Sequence, residues 1–342
     1  MTLAARYVGE GGIDVAEVEP VAPGPGDVQL KVAFTGICGT DLHIQHGVMD
    51  ARVSLPAVIG HEMSGRVLAC GPGVTGWAAG DAVTVMPLRW CGDCAACRAG
   101  HRHICQRLDF LGIDSPGSMQ ERWTVPADVL VRLPASLALS YGALVEPTAV
   151  AVHDVRRAEL QPGERVVVVG GGPVGVLIAS VAVAAGAEVV VLEVNDHRRS
   201  VAAGVGLTVL DPRRDDLDDA IASWAGPDGV QVAFEVSASQ PGLDVAVACL
   251  APRGRMVLVG IHGQPRPVDL QRVFWRELTL VGARVYERTD FEEAVALLDG
   301  ASVPAQALIS HIEPLASAAD AFDLLASGGQ VMKVLVDCGA TS

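Results

Sequence analysis

Half of the eight cysteines lie within one short segment, CGDCAACRAGHRHIC, at residues 91–105. The cysteines of this segment are Cys91, Cys94, Cys97 and Cys105. Four thiolates complete the tetrahedral shell of Zn²⁺ and leave no position open for a substrate. The spacing therefore predicts a structural zinc that clamps a loop, with four metal-free thiols as the alternative. His101 and His103 could compete for the fourth position, but we interpret them as ordinary loop residues.

A glycine-rich turn is the second feature with a clear chemical use. Gly170, Gly172 and Gly175 form a G-x-G-x-x-G pattern between the apolar run RVVVVG (165–170) and the helical pattern VGVLIASVAVAAGA (174–187). Glycines in this position let the backbone approach a pyrophosphate, while free N–H groups at the helix start face its oxygens. The pattern predicts a dinucleotide-binding turn. The alternative is an ordinary glycine-rich turn.

An acidic residue follows at the distance expected for that use. Glu193 ends the next apolar run, 21 residues after Gly172, where a carboxylate accepts hydrogen bonds from the ribose hydroxyl groups of the adenosine. The same charge repels a 2′-phosphate, so the sequence predicts NAD rather than NADP. Arg198 argues in the other direction, because an arginine near this strand can serve NADP. The predicted cofactor residues are Gly170, Gly172, Pro173, Val174, Gly175, Glu193 and Arg198.

Three further segments contain side chains that ligate metals: GICGTDLHIQHG (36–47), IGHEMSG (59–65) and ALVEPTAVAVH (143–153). Taken singly, Cys38 is most often a buried small hydrophobe, and His61-Glu62 an ordinary polar pair. In order along the chain, however, GHE, the four-cysteine segment, EP-x-AVA-x-H and GxGxxG resemble the zinc-dependent medium-chain dehydrogenase/reductase family. The resemblance covers essentially the entire chain, and the combination of motifs is highly specific.

The resemblance implies a catalytic Zn²⁺ held by Cys38 and His61, with Glu62 and Glu146 as the acidic ligands. Which glutamate binds the metal at rest stays open. Liver-type alcohol dehydrogenases carry a second cysteine where Glu146 stands here. A carboxylate is a harder ligand than a thiolate and is displaced more easily, so the site can keep an open position for an alcohol oxygen. With the cysteine segment, the resemblance implies two Zn²⁺ per chain.

The resemblance also implies how the reaction proceeds. Zn²⁺ acts as a Lewis acid on the substrate hydroxyl group, and the carbinol hydride moves to the nicotinamide ring. Thr40 takes the hydroxyl proton and passes it through the cofactor ribose to His43, which releases it to solvent. Glu62 is the third predicted catalytic residue. His46 either supports this relay or is a surface loop residue.

Several segments favour one branch of the family. LDFLGI (108–113) and YERTDFEEAVALLDG (286–300) resemble (R,R)-butanediol dehydrogenases and their vicinal-diol relatives. Sorbitol-type enzymes usually have Arg-Tyr where Val285-Tyr286 stands, and threonine dehydrogenases usually lack the equivalent of Pro147. The expected reaction is NAD-dependent interconversion of a secondary alcohol (a vicinal diol, polyol or cyclitol) and its ketone. Threonine dehydrogenase-like oxidation of an amino alcohol is the alternative.

Composition weighs against functions other than catalysis. The chain has a formal net charge of −15 and only two lysines, whereas a zinc ribbon that binds nucleic acid needs basic surroundings. Relatives that have lost zinc, such as quinone reductases and lens proteins, lack both the cysteine segment and GHE. We therefore expect an enzyme with a small-molecule substrate and no nucleic-acid partner, and the alternative is a binding module built on the zinc loop.

The sequence pattern changes about halfway along the chain, which predicts two domains that position these groups. Residues up to about 135 contain short β-type runs at 28–34, 63–69 and 82–86, divided by glycine and proline. From about 160, strands alternate with helices, which indicates an open parallel sheet. The expected α/β fold is a GroES-like β-barrel catalytic domain (1–146 and 286–342), as the resemblance implies, with a Rossmann doubly wound domain (147–285) inserted.

The remaining expectations concern location and assembly. The 342 residues have a mean hydropathy of +0.36, yet the longest apolar stretches are too short to span a bilayer, and no charged region followed by an apolar run opens the chain. We expect a cytoplasmic protein with no membrane association, where clustered thiols bind metal rather than form disulfides. Relatives associate through edge strands, and residues 278–283 are the candidate edge. A homo-oligomer is expected, more specifically a homotetramer.

Overall fold

The structure, a computed structural model, describes residues 1–339. Residues 340–342, the last three of the predicted catalytic domain, lie outside the described residues. The chain divides into two units: the first comprises residues 1–147, 287–301 and 308 onward, and the second comprises 148–286 and 302–307. The predicted domains differ from these units chiefly at 302–307, which we expected in the catalytic domain. This segment carries two apolar residues that are buried, Val303 and Ala305.

The strands and helices are numbered in chain order. The strands are β1 (Thr2–Gly9), β2 (Gly12–Val18), β3 (Asp27–Gly36), β4 (Ala57–Val58), β5 (Glu62–Cys70), β6 (Ala82–Val85), β7 (Leu88–Arg89), β8 (Asp109–Phe110), β9 (Arg122–Pro126), β10 (Leu130–Arg132), β11 (Arg165–Val169), β12 (Glu188–Leu192), β13 (Thr208–Leu210), β14 (Val230–Glu235), β15 (Leu250–Leu258), β16 (Thr279–Gly282), β17 (Ile309–Pro314) and β18 (Lys333–Asp337). The helices are α1 (Gly39–Gln45), α2 (Ala95–Arg98), α3 (Leu139–Gly142), α4 (Val145–Arg157), α5 (Pro173–Ala184), α6 (Asp196–Gly204), α7 (Leu217–Ala225), α8 (Gln240–Ala248), α9 (Leu270–Trp275), α10 (Arg288–Asp299), α11 (Ala305–Leu308) and α12 (Ala318–Ala326), with 3₁₀ turns at Arg102–Ile104, Ala127–Val129 and Leu315–Ser317.

The first unit is built mainly from antiparallel sheet. Its largest sheet has the order β10-β6-β5-β3-β18-β17, with β9 also pairing with β3. Strand β3 lies inside this sheet, between β5 and β18. Val28, Leu30 and Val32, which alternate along it, are fully buried. At the end of β3, Gly36 lies opposite Glu62 of β5 on one side and Leu335 of β18 on the other. The pairing of β3 thus joins segments from both ends of the chain.

The second unit contains a six-stranded parallel sheet in the order β13-β12-β11-β14-β15-β16. This is the 3-2-1-4-5-6 order of a doubly wound dinucleotide-binding sheet, in which the strand order reverses between the first and fourth strands. Strands β11 and β12 are continuous apolar runs, as expected for strands buried on both faces. The carboxyl ends of β11 and β14 therefore flank the point where a nucleotide binds in such sheets.

Helix α5 is the most apolar helix of the second unit. Eight of its residues, 175–182, are buried, and it contacts β11 and β12. With 12 residues it is shorter than the ~20 that a bilayer span requires. None of the helices within residues 1–339 has the length and apolar character that a membrane crossing needs.

Candidate active site

The four clustered cysteines lie around α2 and the 3₁₀ turn that follows it, in the first unit. Their sulfur atoms are 3.4 Å apart for Cys91 and Cys105, 3.9 Å for Cys94 and Cys105, and 4.0 Å for Cys91 and Cys97. Four sulfurs at 2.3 Å from a tetrahedral zinc would be about 3.8 Å from one another. The thiols therefore fit a Zn²⁺ ion without rearrangement.

Backbone donors prepare this loop for a thiolate. The Cys97 N–H donates to Cys94 Sγ at 3.5 Å, and N–H groups of Gln106 and Cys97 lower the pKa of the Cys94 thiol to about 6. Burial, in contrast, raises the pKa of Cys97 to about 12. A metal ion supplies the positive charge that ionises such a thiol, so this donor set suits a cation.

The two histidines of the same segment lie outside the thiol cluster. The group of ligand atoms close enough to share one ion contains the four cysteines and neither His101 nor His103. His103 Nδ1 is instead 3.4 Å from a carboxylate oxygen of Glu287. This placement agrees with the interpretation of both histidines as loop residues.

A second group of side chains that could hold a metal ion is formed by Cys38, His61 and Glu62. One ligand atom from each residue lies within 4.8 Å of the others. His61 and Glu62 are buried, and Cys38 is partly buried. Cys38 caps the start of α1, and His61 and Glu62 stand at the start of β5. Gly60, with φ of +96°, makes the turn that brings them there, because the left-handed region favours glycine. Phe110 packs edge-on against the His61 ring at 5.3 Å between centroids.

His61 is surrounded by negative charge. Its Nδ1 lies 3.6 Å from Asp41 Oδ1, and Asp41 has no exposed surface. Burial opposes protonation of His61, yet its pKa lies well above the ordinary value because Asp41, Cys38 and Glu146 favour the imidazolium. The same negative charge favours a bound cation, which would compete with a proton for His61.

Glu62 forms a buried ion pair with Lys333 of β18. Lys333 Nζ lies 2.8 Å from Oε1 and 2.7 Å from Oε2, and it also donates to the Ile37 carbonyl at 3.1 Å. Burial disfavours the ammonium, but Glu62 holds the pKa of Lys333 above its ordinary value. Gly36 makes room for this pair, because a Cβ on it would lie 2.2 Å from Glu62 Oε2.

The other predicted residues of this site lie on or next to helices α1 and α4. Thr40 and His43 are partly buried on α1, three residues apart and thus on one helix face, whereas His46 is exposed at the end of that helix. Glu146 is buried in the first turn of α4. It lies outside the 4.8 Å cluster but acts electrostatically on His61.

The glycine-rich turn lies between β11 and α5 in the second unit. A Cβ on Gly175 would be 1.8 Å from the Gly170 carbonyl oxygen, whereas Gly172 faces only the Arg198 guanidinium, 3.6 Å away. Gly172 caps α5 without a side-chain hydrogen bond, and Pro173 and Val174 form the first turn. Pro173 has no N–H, so the N–H groups of Val174 and Gly175 are those that can face an anion, and the tight turn fits a pyrophosphate.

Glu193 directly follows β12, beside this turn. Its Oε2 accepts the Gly171 N–H and its Oε1 accepts the Asn195 N–H, both at 2.7 Å. The carboxylate is 5% exposed, and each oxygen keeps a lone pair for a ribose hydroxyl group. Arg198 lies on α6, with a buried Nε that has no hydrogen-bond partner among the described residues.

Sequence reasoning missed Asp41 and Lys333. Asp41 lies within the GICGTDLHIQHG segment, and its carboxylate accepts the Cys38 N–H at 2.8 Å while facing His61. Lys333 is separated from Glu62 by 271 positions. A signal was present, because Lys333 is one of only two lysines among 25 basic residues.

Comparisons with known proteins agree with this geometry. The alcohol dehydrogenase GroES-like domain matches residues 24–135, and the zinc-binding dehydrogenase family matches residues 173–300. The chain belongs to the zinc-dependent medium-chain dehydrogenase family. The predicted family and the predicted α/β fold, with a GroES-like domain and a Rossmann sheet, are confirmed. This dehydrogenase is an oxidoreductase that interconverts an alcohol and its carbonyl compound.

Individual relatives match the dehydrogenase over almost its entire length. It is 48% identical to 2-dehydro-3-deoxy-L-galactonate 5-dehydrogenase of Pseudoalteromonas atlantica, over 98% of this chain and 99% of the relative. A zinc-binding dehydrogenase of Sinorhizobium meliloti bound to NADP has a TM-score of 0.93, 31% identity and coverage of 98% and 99%. The 2R,3R-butanediol dehydrogenase of Bacillus subtilis has a TM-score of 0.90, 30% identity and the same coverage.

Proposed function

We propose that this dehydrogenase uses NAD to oxidise a secondary hydroxyl group of a polyol or sugar acid at a zinc ion bound by Cys38 and His61. The observation that carries the proposal is the cluster of the partly buried Cys38 with the buried His61 and Glu62, whose ligand atoms lie within 4.8 Å of one another. Three ligands from two segments of the chain leave an open coordination position, as catalytic zinc sites do.

The residues around the cluster have distinct tasks in this proposal. When bound, the zinc ion acidifies the substrate hydroxyl group and orients it. Asp41 holds the His61 ring in position through its carboxylate, as partners of metal-bound histidines do. Glu146 takes the place of a second thiolate, and Lys333 keeps Glu62 in an ion pair from which the metal can draw it.

The proton of the hydroxyl group leaves through α1. Thr40 would accept it, and His43 would give it to solvent, with the ribose of a bound cofactor between the two. Thr40 and His43 lie on one face of α1, which supports this order. A bound nicotinamide cofactor would accept the hydride of the same carbon, so the alcohol would lose a hydride and a proton.

The four cysteines at 91–105 hold a second, structural zinc in the proposal. Their sulfur separations of 3.4–4.0 Å leave no opening for a substrate, since four thiolates close the shell. This ion stabilises the loop and takes no part in the reaction.

NAD is the proposed cofactor. The Glu193 carboxylate is fixed by two N–H groups beside the glycine-rich turn, where its charge would repel a 2′-phosphate. Two observations favour NADP instead: the S. meliloti protein is bound to NADP, and Arg198 lies near the glycine-rich turn. The ratio of activity with NAD to activity with NADP tests the choice. We expect NAD to be used at least about tenfold better than NADP, which corresponds to about 1.4 kcal/mol, and Glu193→Ala to narrow the difference.

The substrate proposal rests on the relatives. The 48% identical protein is named for a sugar acid, and the B. subtilis structure for a vicinal diol. Both names describe secondary alcohols on hydroxylated chains. We therefore place 2-dehydro-3-deoxy-L-galactonate first among the compounds to assay, followed by vicinal diols, polyols and cyclitols.

The test is a substrate panel monitored by NADH formation. The purified protein is supplied with the sugar acid, 2R,3R-butanediol, a polyol, a cyclitol and L-threonine, and a Cys38→Ser variant serves as the control for zinc-dependent turnover. The proposal predicts oxidation of at least one polyol or sugar acid by the unaltered protein alone. Oxidation of L-threonine only would establish the amino-alcohol alternative, and turnover by Cys38→Ser would refute the zinc site.

Association of copies completes the proposal. Strand β16 is the terminal strand of the parallel sheet, and Phe274 and Trp275, shortly before it, are 71% and 73% exposed. Such exposed apolar groups beside a free sheet edge favour association with another copy. We propose a homo-oligomer, more specifically a tetramer, formed in part through β16. Light scattering should show the oligomer, and Trp275→Glu should dissociate it.

A further inference from the structure

A buried carboxylate lies on the other side of the glycine-rich turn from Glu193. Glu235 ends β14 and has no exposed surface. Its Oε1 accepts the Ser237 N–H at 2.9 Å and the Ser237 hydroxyl at 2.6 Å, and its Oε2 lies 2.9 Å from His262 Nε2. No step of the proposed reaction uses this group.

The arrangement is symmetrical about the first strand of the sheet. β11 is paired with β12 on one side and β14 on the other, and a buried glutamate stands at or directly after the end of each neighbour. Glu193 accepts the N–H of Asn195, and Glu235 accepts the N–H of Ser237, in each case two residues further on. Doubly wound sheets consist of two mononucleotide-binding halves related in this way.

The loops around Glu235 are packed without spare room. A Cβ on Gly260 would lie 2.7 Å from the Ala238 nitrogen and 2.9 Å from Glu235 Oε2, and a Cβ on Gly170 would lie 3.2 Å from the Ser237 nitrogen. Glycine at 260 therefore lets the loop after β15 approach β14. The hydrogen bond from His262 to Glu235 then fixes that loop against its neighbours.

Two energetically unfavourable features occur in the loops around Glu235. Ala238 has φ of +53°, in the left-handed region that a residue with a side chain rarely adopts. His262 Nδ1 is buried and has no hydrogen-bond partner among the described residues, although its side chain is 17% exposed. Strained backbone and unsatisfied buried polar atoms concentrate where a ligand binds.

We propose that the Glu235–His262 pair positions the loop at residues 259–263 to receive the nicotinamide half of the dinucleotide. Glu193, after β12, belongs to the half of the sheet that takes the adenosine. The second half, β14 to β16, takes the other nucleoside by the symmetry of the fold. His262 is a positioning residue in this inference, which rests on the proposed dinucleotide binding but not on the choice between NAD and NADP.

Binding measurements test the inference without turnover. NADH, NADPH and AMP are titrated into the purified zinc-loaded protein, and into His262→Leu and His262→Gln, by calorimetry. Glutamine carries a donor nitrogen as many bonds from its Cα as Nε2 of histidine, so it keeps the hydrogen bond to Glu235, whereas leucine loses it. His311→Leu is the matched control, because His311, on β17 of the first unit, also has an Nδ1 without a partner.

The expected pattern separates the two halves of the cofactor. His262→Leu should weaken the tighter of NADH and NADPH about tenfold, the effect of one lost hydrogen bond, and leave AMP unchanged. His262→Gln should restore most of the affinity, and His311→Leu should match the unaltered protein. Unchanged dinucleotide binding in His262→Leu, or equal loss of AMP, overturns the inference. Failure of the unaltered protein to bind either dinucleotide would instead refute the proposed function, and the inference with it.

Discussion

Replacing Lys333 by methionine should lower the free energy of unfolding strongly, because Lys333 is the buried partner of Glu62. The side chains of Lys333 and Glu62 are 5% and 1% exposed, and Nζ contacts both carboxylate oxygens. Methionine fills similar volume but leaves a buried carboxylate without a countercharge. Removing one partner of a buried pair costs about 3–5 kcal/mol, and we expect a loss in that range.

The chain offers a matched control and a second test. Lys31, the other lysine, is exposed on β3, so Lys31→Met should change the free energy of unfolding by no more than about 0.5 kcal/mol. In the double variant Lys333→Met/Glu62→Met both charges are gone, and it should recover about 2 kcal/mol or more of the loss. Urea unfolding of the purified proteins measures all four. Equal effects of Lys333→Met and Lys31→Met would refute the role of the ion pair.

The remaining predictions concern metal and proton. Cys38→Ser should keep one zinc per chain and a near-normal melting transition but show no turnover. Cys97→Ser should also keep about one zinc, but it should melt earlier and retain activity in its folded fraction. Melting and turnover measurements that gave the reverse pattern would contradict these assignments. His43→Ala should slow oxidation most at low pH and leave zinc content intact, so a loss of zinc would make it a ligand. Because the pKa of His61 is raised in the metal-free site, protons compete with zinc there, and equal exposure to a chelator should remove more activity at pH 6 than at pH 8; pH-independent loss would count against this.

The parts of the structure that the sequence predicted are those with local causes. The apolar runs at 165–170 and 188–194 correspond to β11 and β12, since a strand buried on both faces needs no polar alternation. The spacing of the four cysteines likewise reflects one short loop, in which all four thiols gather around one point. In both cases, neighbours in the chain are neighbours in space.

The parts that were missed depend on distant pairings. Lys333 reaches Glu62 only because β18 pairs with β3, which in turn pairs with β5, and no local pattern encodes that register. Asp41 is near Cys38 in the chain, but its importance lies in a carboxylate that turns back toward the Cys38 N–H and faces His61. Neither residue belongs to the two groups that could hold a metal ion, so ligand spacing could not reveal them.

The pairing of β18 with β3 also has a consequence during synthesis. Glu62 leaves the ribosome 271 residues before Lys333, which is roughly 15 to 55 seconds at about 5–20 residues per second. Throughout this interval the nascent first unit lacks strand β18 and the countercharge of Glu62. A chain that ends before residue 333 therefore cannot form the buried ion pair between Glu62 and Lys333, and prematurely terminated products leave this carboxylate without its countercharge.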